Sequence, residues 1–172
     1  LYVDENVLNF MGKKEFESTI MANETIVASV MFVDICGFTA ISETASADTV
    51  VTMINSYFDV MVKEIMEQKG YIDKFIGDAM MCIFGTPVPH DDDPDRAVRA
   101  AIRMMTDLKT FNDKRNTEGK MPIDQGMDIN TDTIVSGNIG SPKRMDYTVI
   151  GDTVNVASRS VSYTHLTLPT NR

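Results

Sequence analysis

Hydrophobic and polar positions along this chain switch period several times, and each switch predicts an element. Val27–Val33 is a short Val-rich apolar run between polar flanks, the pattern of a buried strand. From Thr49 to Lys69 the apolar residues Val50, Met53, Ile54, Tyr57, Phe58, Met61, Val62, Ile65 and Met66 follow a 3.6-residue period. That predicts an amphipathic helix, and Gly70 is its expected stop. Tyr71–Ile76 and Ala79–Phe84 read as two strands joined through Gly77-Asp78, a hairpin-turn signal. Pro94 opens a second helix over Ala97–Phe111, with Ala97, Val98, Ala101, Ile102, Met105 and Leu108 as its apolar face. Ile123–Ile129 and Ile134-Val135 read as two further strands, and Gly137-Asn-Ile-Gly140 as a break after them. The order strand, helix, hairpin, helix, strand, strand implies an α/β (α+β) layer: a mixed sheet with helices on one face.

Composition narrows the class. The chain has 172 residues, of which 43% are hydrophobic, enough for one domain with a sizeable core. A net charge of −9 excludes a general nucleic-acid-binding surface but not a nucleotide site, which needs only local cations. Two cysteines, Cys36 and Cys82, make no disulfide framework and imply a reducing compartment. No run of about 18 apolar residues suggests a membrane span, and no signal peptide is evident. A cytoplasmic location follows, for the chain itself or as the cytoplasmic domain of an anchored parent. The first residue is Leu1 rather than Met, as expected of a piece of something longer. Residues 1–25 read as a lead-in, with Val3, Val7, Leu8 and Met11 on one face of a short helix. At the other end, Val161–Thr170 matches one reading frame of a transposon-derived sequencing adapter, so residues 160–172 are expected to be a non-biological tail.

The candidate chemistry rests on two aspartates. Asp34 ends the first apolar run and precedes Ile35-Cys-Gly-Phe-Thr39; Asp78 stands in the hairpin turn just before another apolar run. Carboxylates placed where buried strands meet Gly-containing turns can hold divalent ions over a phosphate. Mg²⁺ favours one or two carboxylates plus waters and substrate phosphates. Two metals support in-line phosphoryl chemistry.

Four segments carry a resemblance: Phe32-Val-Asp-Ile-Cys-Gly-Phe-Thr39, Asp73-Lys-Phe-Ile-Gly-Asp78, Gly137-Asn-Ile-Gly-Ser141, and Asp146 to Arg159. In this order, with 44 positions from Asp34 to Asp78, they resemble the class III nucleotidyl cyclase catalytic domain over roughly residues 26–159. The resemblance implies a ferredoxin-like βαββαβ core, cut off near Arg159, where family members continue with further strands and a lysine that contacts the triphosphate. It also implies conversion of ATP to 3′,5′-cyclic AMP and pyrophosphate by two-metal-assisted attack of the ribose 3′-oxygen on the α-phosphorus. Asp34, Asp78 and the Ile35 carbonyl would hold two Mg²⁺ per site, with Mn²⁺ able to substitute. Gly37, Phe38 and Thr39 would offer backbone N–H groups to phosphates. A homodimer partner would supply Lys74 and Thr148 to the base and Asn155 and Arg159 to the ribose and transition state. Arg144 would reach the terminal phosphates. An upstream sensor domain is the expected fusion partner.

Lys74 and Thr148 set the expected base. An ammonium donates to adenine N1 and a hydroxyl accepts from the N6 amine, whereas guanine presents the reverse pattern. Guanylyl members typically carry an acid at position 74. Thr148 resembles the subgroup that includes bicarbonate-responsive soluble cyclases. Two alternatives stand beside this reading: a degenerate, non-catalytic cyclase-like module that dimerises to regulate a partner domain, and a guanylate cyclase. The Gly-Gly-acidic signature of diguanylate cyclases is absent. Blander assignments hold elsewhere. Asp91–Asp95 lacks the EF-hand spacing and reads as a solvated helix-start loop. His90 reads as a loop residue, the 13 methionines as mostly core, and Cys36 as unreactive. Asp128 and Asp132 stand where many relatives have Gly; Asp132 suits a turn, and Asp128 is hard to place within a strand.

Overall fold

The computed structural model describes residues 23–141 and 144–155. Its elements are β1 (Glu24–Ile35), α1 (Phe38–Thr44), α2 (Ala47–Glu67), β2 (Tyr71–Ile76), β3 (Ala79–Phe84), α3 (Asp93–Thr117), β4 (Gln125–Ser141) and β5 (Arg144–Ile150), and residues 152–155 open a further helix. The strands form one sheet in the order β2-β3-β1-β4-β5. The first four positions have the ferredoxin-like arrangement. Every pairing is antiparallel, which corrects the expected mixed sheet. Each helical crossover returns the chain to lay a strand in the direction it left, but the neighbour it leaves room for runs the other way.

Central strand β1 is apolar on both faces because both are covered. Met31, Val33 and Ile35 join Met53, Tyr57, Met61 and Ile65 of α2 and Ala97, Ala100, Met104 and Leu108 of α3 in the larger core. Ala28, Val30 and Phe32 point the other way, onto Met81, Ile83, Ile134 and Val149. The core-facing side of α3 is only in part the predicted one: Ala97 and Leu108 are buried and Ala101 packs against the core, joined by Ala100 and Met104. Val98, Ile102 and Met105 are exposed, and the small Ala97 and Ala100 let the helix lie close on the sheet.

Ser46 caps α2, its hydroxyl accepting from the Thr49 N–H at 3.3 Å. At the other end the Gly70 N–H donates to the Ile65 carbonyl (2.9 Å) and the Lys69 N–H to Met66 (2.8 Å), a Schellman pair. The left-handed residue is Lys69 (φ 56°), not the expected Gly70. Glycine is required at 70 for space: a Cβ there would lie 2.7 Å from the Phe84 ring and from Ile65 Cγ2. Packing between the helix end and β3 thus decides where the glycine goes.

The acidic stretch before α3 is only partly the solvated loop expected. Asp93 and Arg96 are both buried and paired, and the Arg96 guanidinium also donates to the Gln68 carbonyl at 2.8 Å. Removing one partner of such a pair costs about 3–5 kcal/mol, because the other charge is left buried. His90 is the loop residue expected; its N–H donates to Asp93 Oδ2 at 2.9 Å.

Gly137–Gly140 does not break the chain. β4 runs unbroken through it, since residues 136–141 pair with β5 after β1 has run out at Glu24. Asp128, opposite Phe32 in β4, is partly buried, and desolvation holds its carboxyl above the usual range. Asp132 is exposed and accepts from the Thr133 N–H at 2.7 Å. The methionines divide: Met31, Met53, Met61, Met80, Met81 and Met104 are core, whereas Met105 and Met121 are exposed.

Candidate active site

Two clusters of polar side chains emerge from this frame. The first lies where β1, the β2–β3 turn and the start of β4 meet. Asp34 is one position beyond the Val33–Met80 pair, level with the start of β3, and Asp78 lies in the turn that precedes it. The ladder therefore brings to one end of two neighbouring strands the two aspartates that are 44 positions apart in sequence. Asp34 is buried at 7% exposure, with Gly126 opposite it on β4. Gly77 makes the turn possible with φ +65°; a Cβ there would meet nothing, so conformation rather than space requires the glycine.

Tyr57 lies beneath this corner, its hydroxyl donating to Gln125 Oε1 at 2.7 Å. Burial holds the phenol far above its usual pKa, and the charges of Asp34 and Asp78 add to the shift. One phenol thus feels both carboxylates. Burial, then Asp124 and Asp34, also raises the Cys36 thiol, which favours its protonated form. The Cys36 N–H is tied to the Asp124 carbonyl at 2.9 Å. Gly37 then adopts φ +69°, and α1 begins at Phe38. Thr39 is exposed and Phe38 packs against the larger core.

Among the described residues no three His, Cys, Asp or Glu side chains come together as a metal cage. Two carboxylates at the mouth of a turn are instead a donor set suited to a hard cation that keeps water and phosphate ligands, as Mg²⁺ does. The residues present fit such an ion.

The second cluster joins strands from the two ends of the sheet order. β2 and β5 are its outer strands, yet Lys74 Nζ donates to Thr148 Oγ1 at 3.2 Å and Thr148 Oγ1 donates to Asp73 Oδ2 at 3.0 Å. Lys74 Nζ is also 3.1 Å from Asp73 Oδ2. The long β4 carries β5 back over the smaller core. There Tyr147 meets Tyr71 edge-on, with ring centroids 6.3 Å apart, and its hydroxyl is 2.6 Å from Thr86 Oγ1. Lys74 and Thr148 are therefore adjacent although they come from the two outer strands.

Asp73 was not anticipated. A bulge leaves it without a partner position on β3, between the Ile72–Cys82 and Lys74–Met81 pairs, so adjacent residues reach the same hydroxyl. Its side chain is fully buried. Burial raises its pKa, and the bonds from Lys74 and Thr148 pull it back only in part. Two neighbouring charged residues inside a six-residue apolar strand were the available sequence sign of a bulge.

Asn155 is exposed, while its neighbour Val154 packs on the smaller core. Arg144 is described only as a strand position opposite Ser141. Arg159, the lead-in's Val3, Val7, Leu8 and Met11, and the tail from residue 160 lie outside the described residues. No helix among the described residues is long and apolar enough to cross a membrane.

Comparison with known proteins agrees with this geometry. The adenylate cyclase of Anabaena cylindrica is 42% identical over 135 residues, covering 76% of this chain and 26% of its own length. Adenylate cyclase 1 of Rhizobium meliloti is 37% identical over 131 residues, covering 76% of this chain and 20% of its own. The chain thus spans about a quarter or less of these relatives. Among solved structures, the adenylyl cyclase CyaB from P. aeruginosa superposes with a TM-score of 0.78 at 36% identity, covering 83% of this chain and 74% of that one. The guanylyl cyclase Cya2 gives 0.78 at 37%, with 83% and 73% covered. The family description "Adenylate and Guanylate cyclase catalytic domain" matches residues 20–167, and the chain belongs to that family.

Proposed function

We propose that the chain is the catalytic domain of an adenylate cyclase that forms 3′,5′-cyclic AMP and pyrophosphate from ATP. Overall likeness does not choose the base, since an adenylyl and a guanylyl cyclase match equally well. The observation that carries the choice is the 3.2 Å contact between Lys74 Nζ and Thr148 Oγ1. An ammonium beside a hydroxyl matches adenine N1 and N6 and mismatches guanine N1–H and O6.

Asp34 and Asp78, with the Ile35 carbonyl, would hold two divalent ions, Mg²⁺ or Mn²⁺. Bound there, such ions would lower the pKa of the 3′-hydroxyl and offset the triphosphate charge. In the reaction the ribose 3′-oxygen would bond to the α-phosphorus and lose its proton to water, while the bond from the α-phosphorus to the bridging oxygen breaks and pyrophosphate leaves. No protein nucleophile is needed, so the chain's work is positioning and charge. The first N–H groups of α1 at Gly37, Phe38 and Thr39, together with Arg144, would orient the phosphates. Asn155 and Arg159 would hold the ribose and the developing charge.

Lys74 stands within β2, whereas Asp78 lies in the turn beyond the strand's end at Ile76, so the two corners are set apart along the sheet. A site using both corners is accordingly assigned to two protomers of a homodimer, one giving Asp34 and Asp78 and the other Lys74, Thr148, Asn155 and Arg159. Phe75 and Ile76, between the two corners, are 52% and 51% exposed, an apolar strip of the kind a second copy would cover. An upstream sensor and a cytoplasmic setting complete the reading.

The test is turnover of ATP and GTP by the purified protein with Mg²⁺ and with Mn²⁺. Cyclic AMP formed well above cyclic GMP is the expected result. A folded dimer that makes neither product would favour the regulatory module.

A further inference from the structure

We propose that Asp73 is a positioning residue that fixes the direction of the Thr148 hydroxyl and so enforces the choice of adenine. This rests on the base-recognition reading above and assigns the residue that imposes its polarity.

Donors and acceptors around Thr148 can be counted. A threonine hydroxyl has one proton and two lone pairs, and can face a base as donor or acceptor. By itself Thr148 would not discriminate, because rotating the hydroxyl lets it accept from adenine N6 or donate to guanine O6. Asp73 removes that freedom. Its buried carboxylate accepts the Thr148 proton at 3.0 Å and, as an ionised acid, has none to give back. One Thr148 lone pair takes a proton from Lys74 Nζ at 3.2 Å. One lone pair is left, so toward a base Thr148 can only accept. Lys74 is constrained in the same way: of its three protons one faces Asp73 Oδ2 at 3.1 Å and one Thr148, leaving one for a ring nitrogen. The pair therefore offers one donor and one acceptor in fixed places, matching adenine N1 and N6.

The local fold supports this role. The bulge at Asp73 interrupts the alternation of β2, so an acid and its neighbouring lysine converge on one hydroxyl from the opposite strand. The other oxygen, Oδ1, is buried and receives no hydrogen bond from the described residues. Such an arrangement is costly unless the engaged oxygen serves a purpose. A carboxylate in a dry site also holds its partners more firmly than one in water.

The experiment compares kcat/KM for ATP and GTP in the native protein, Asp73→Asn and Asp73→Ser, each checked for folding by its melting transition. An amide or a hydroxyl at 73 can donate to Thr148 as well as accept, which frees the hydroxyl to turn. The expected result is a fall of at least tenfold in the ATP-over-GTP ratio, through a higher KM for ATP and measurable use of GTP, with kcat for ATP reduced less than KM rises. A merely structural role would lower both substrates together and leave the ratio unchanged; that outcome overturns the proposal. Native protein that does not prefer ATP would instead overturn the base-recognition reading itself, so the two failures are distinct. Inosine triphosphate provides a check that needs no variant, since it presents N1–H and O6 without the 2-amino group. The native protein should use it at least tenfold less well than ATP, and comparable use overturns the fixed polarity even if neither variant folds.

Discussion

The corner proposed to hold metal and the corner proposed to read the base are built in opposite ways. Asp34 and Asp78 are positioned by their own strand and turn: one ladder register and one left-handed glycine place both. Lys74 and Thr148 are 74 positions apart on the outer strands and meet only because β4 carries β5 back over the smaller core. A locally built corner is robust to changes elsewhere in the fold. A corner assembled from two sheet edges depends on everything that bends the sheet.

The largest effect is expected at Asp34 and Asp78. Asp34→Ala or Asp78→Ala should lower cyclic AMP formation by a thousandfold or more, roughly 4 kcal/mol of lost transition-state stabilisation, with little change in melting temperature. Retained activity in a folded variant would remove the metal assignment. At the base corner the expected loss is selective. At position 74, Lys74→Glu should cut kcat/KM for ATP by about a hundredfold, because a donor is replaced by an acceptor facing adenine N1; equal loss for ATP and GTP would argue for a structural role.

Mixing two impaired variants separates the corners physically. Asp34→Ala and Lys74→Glu protomers combined in equal amounts should recover about a quarter of native activity, since half the dimers would carry one intact site of two. No recovery would mean that both corners act within one chain. The smallest effect concerns the sheet between them. Burial raises the Asp128 pKa in the folded state, so folding disfavours its charged form relative to the unfolded chain. The stability linked to this group is present below the usual Asp pKa and is lost as pH rises through the raised value. Asp128→Asn should therefore raise the melting temperature by a few degrees at pH 7 and lose that gain near pH 4; a gain independent of pH would point to packing instead.

This difference in construction also explains what the sequence disclosed. The two helices, the β2–β3 hairpin and Asp34 and Asp78 were legible because each depends on local period or turn chemistry. Lys74 and Thr148 could be named by resemblance, but their contact could not be derived from spacing. Asp73 escaped notice because strand alternation puts adjacent residues on opposite faces, and only the register slip at the bulge cancels that rule. The face of α3 was misjudged in part. Val98, Ile102 and Met105 were counted on that face, but the helix turns Ala97, Ala100, Met104 and Leu108 to the core and leaves those three exposed. Gly137 and Gly140 signalled a break that strand pairing overrode.

The meeting of β2 and β5 has a consequence beyond recognition. Outer strands expose unpaired backbone and invite association with other chains. Here the contacts Lys74–Thr148, Asp73–Thr148 and Tyr71–Tyr147 draw those two margins together, so the groups assigned to reading the base also fasten the rim of the sheet. A lineage drifting toward another nucleotide must therefore replace the latch as well as the lock: substitutions that retune preference while loosening the rim would emerge as poorly expressed, aggregation-prone proteins before they emerged as new enzymes.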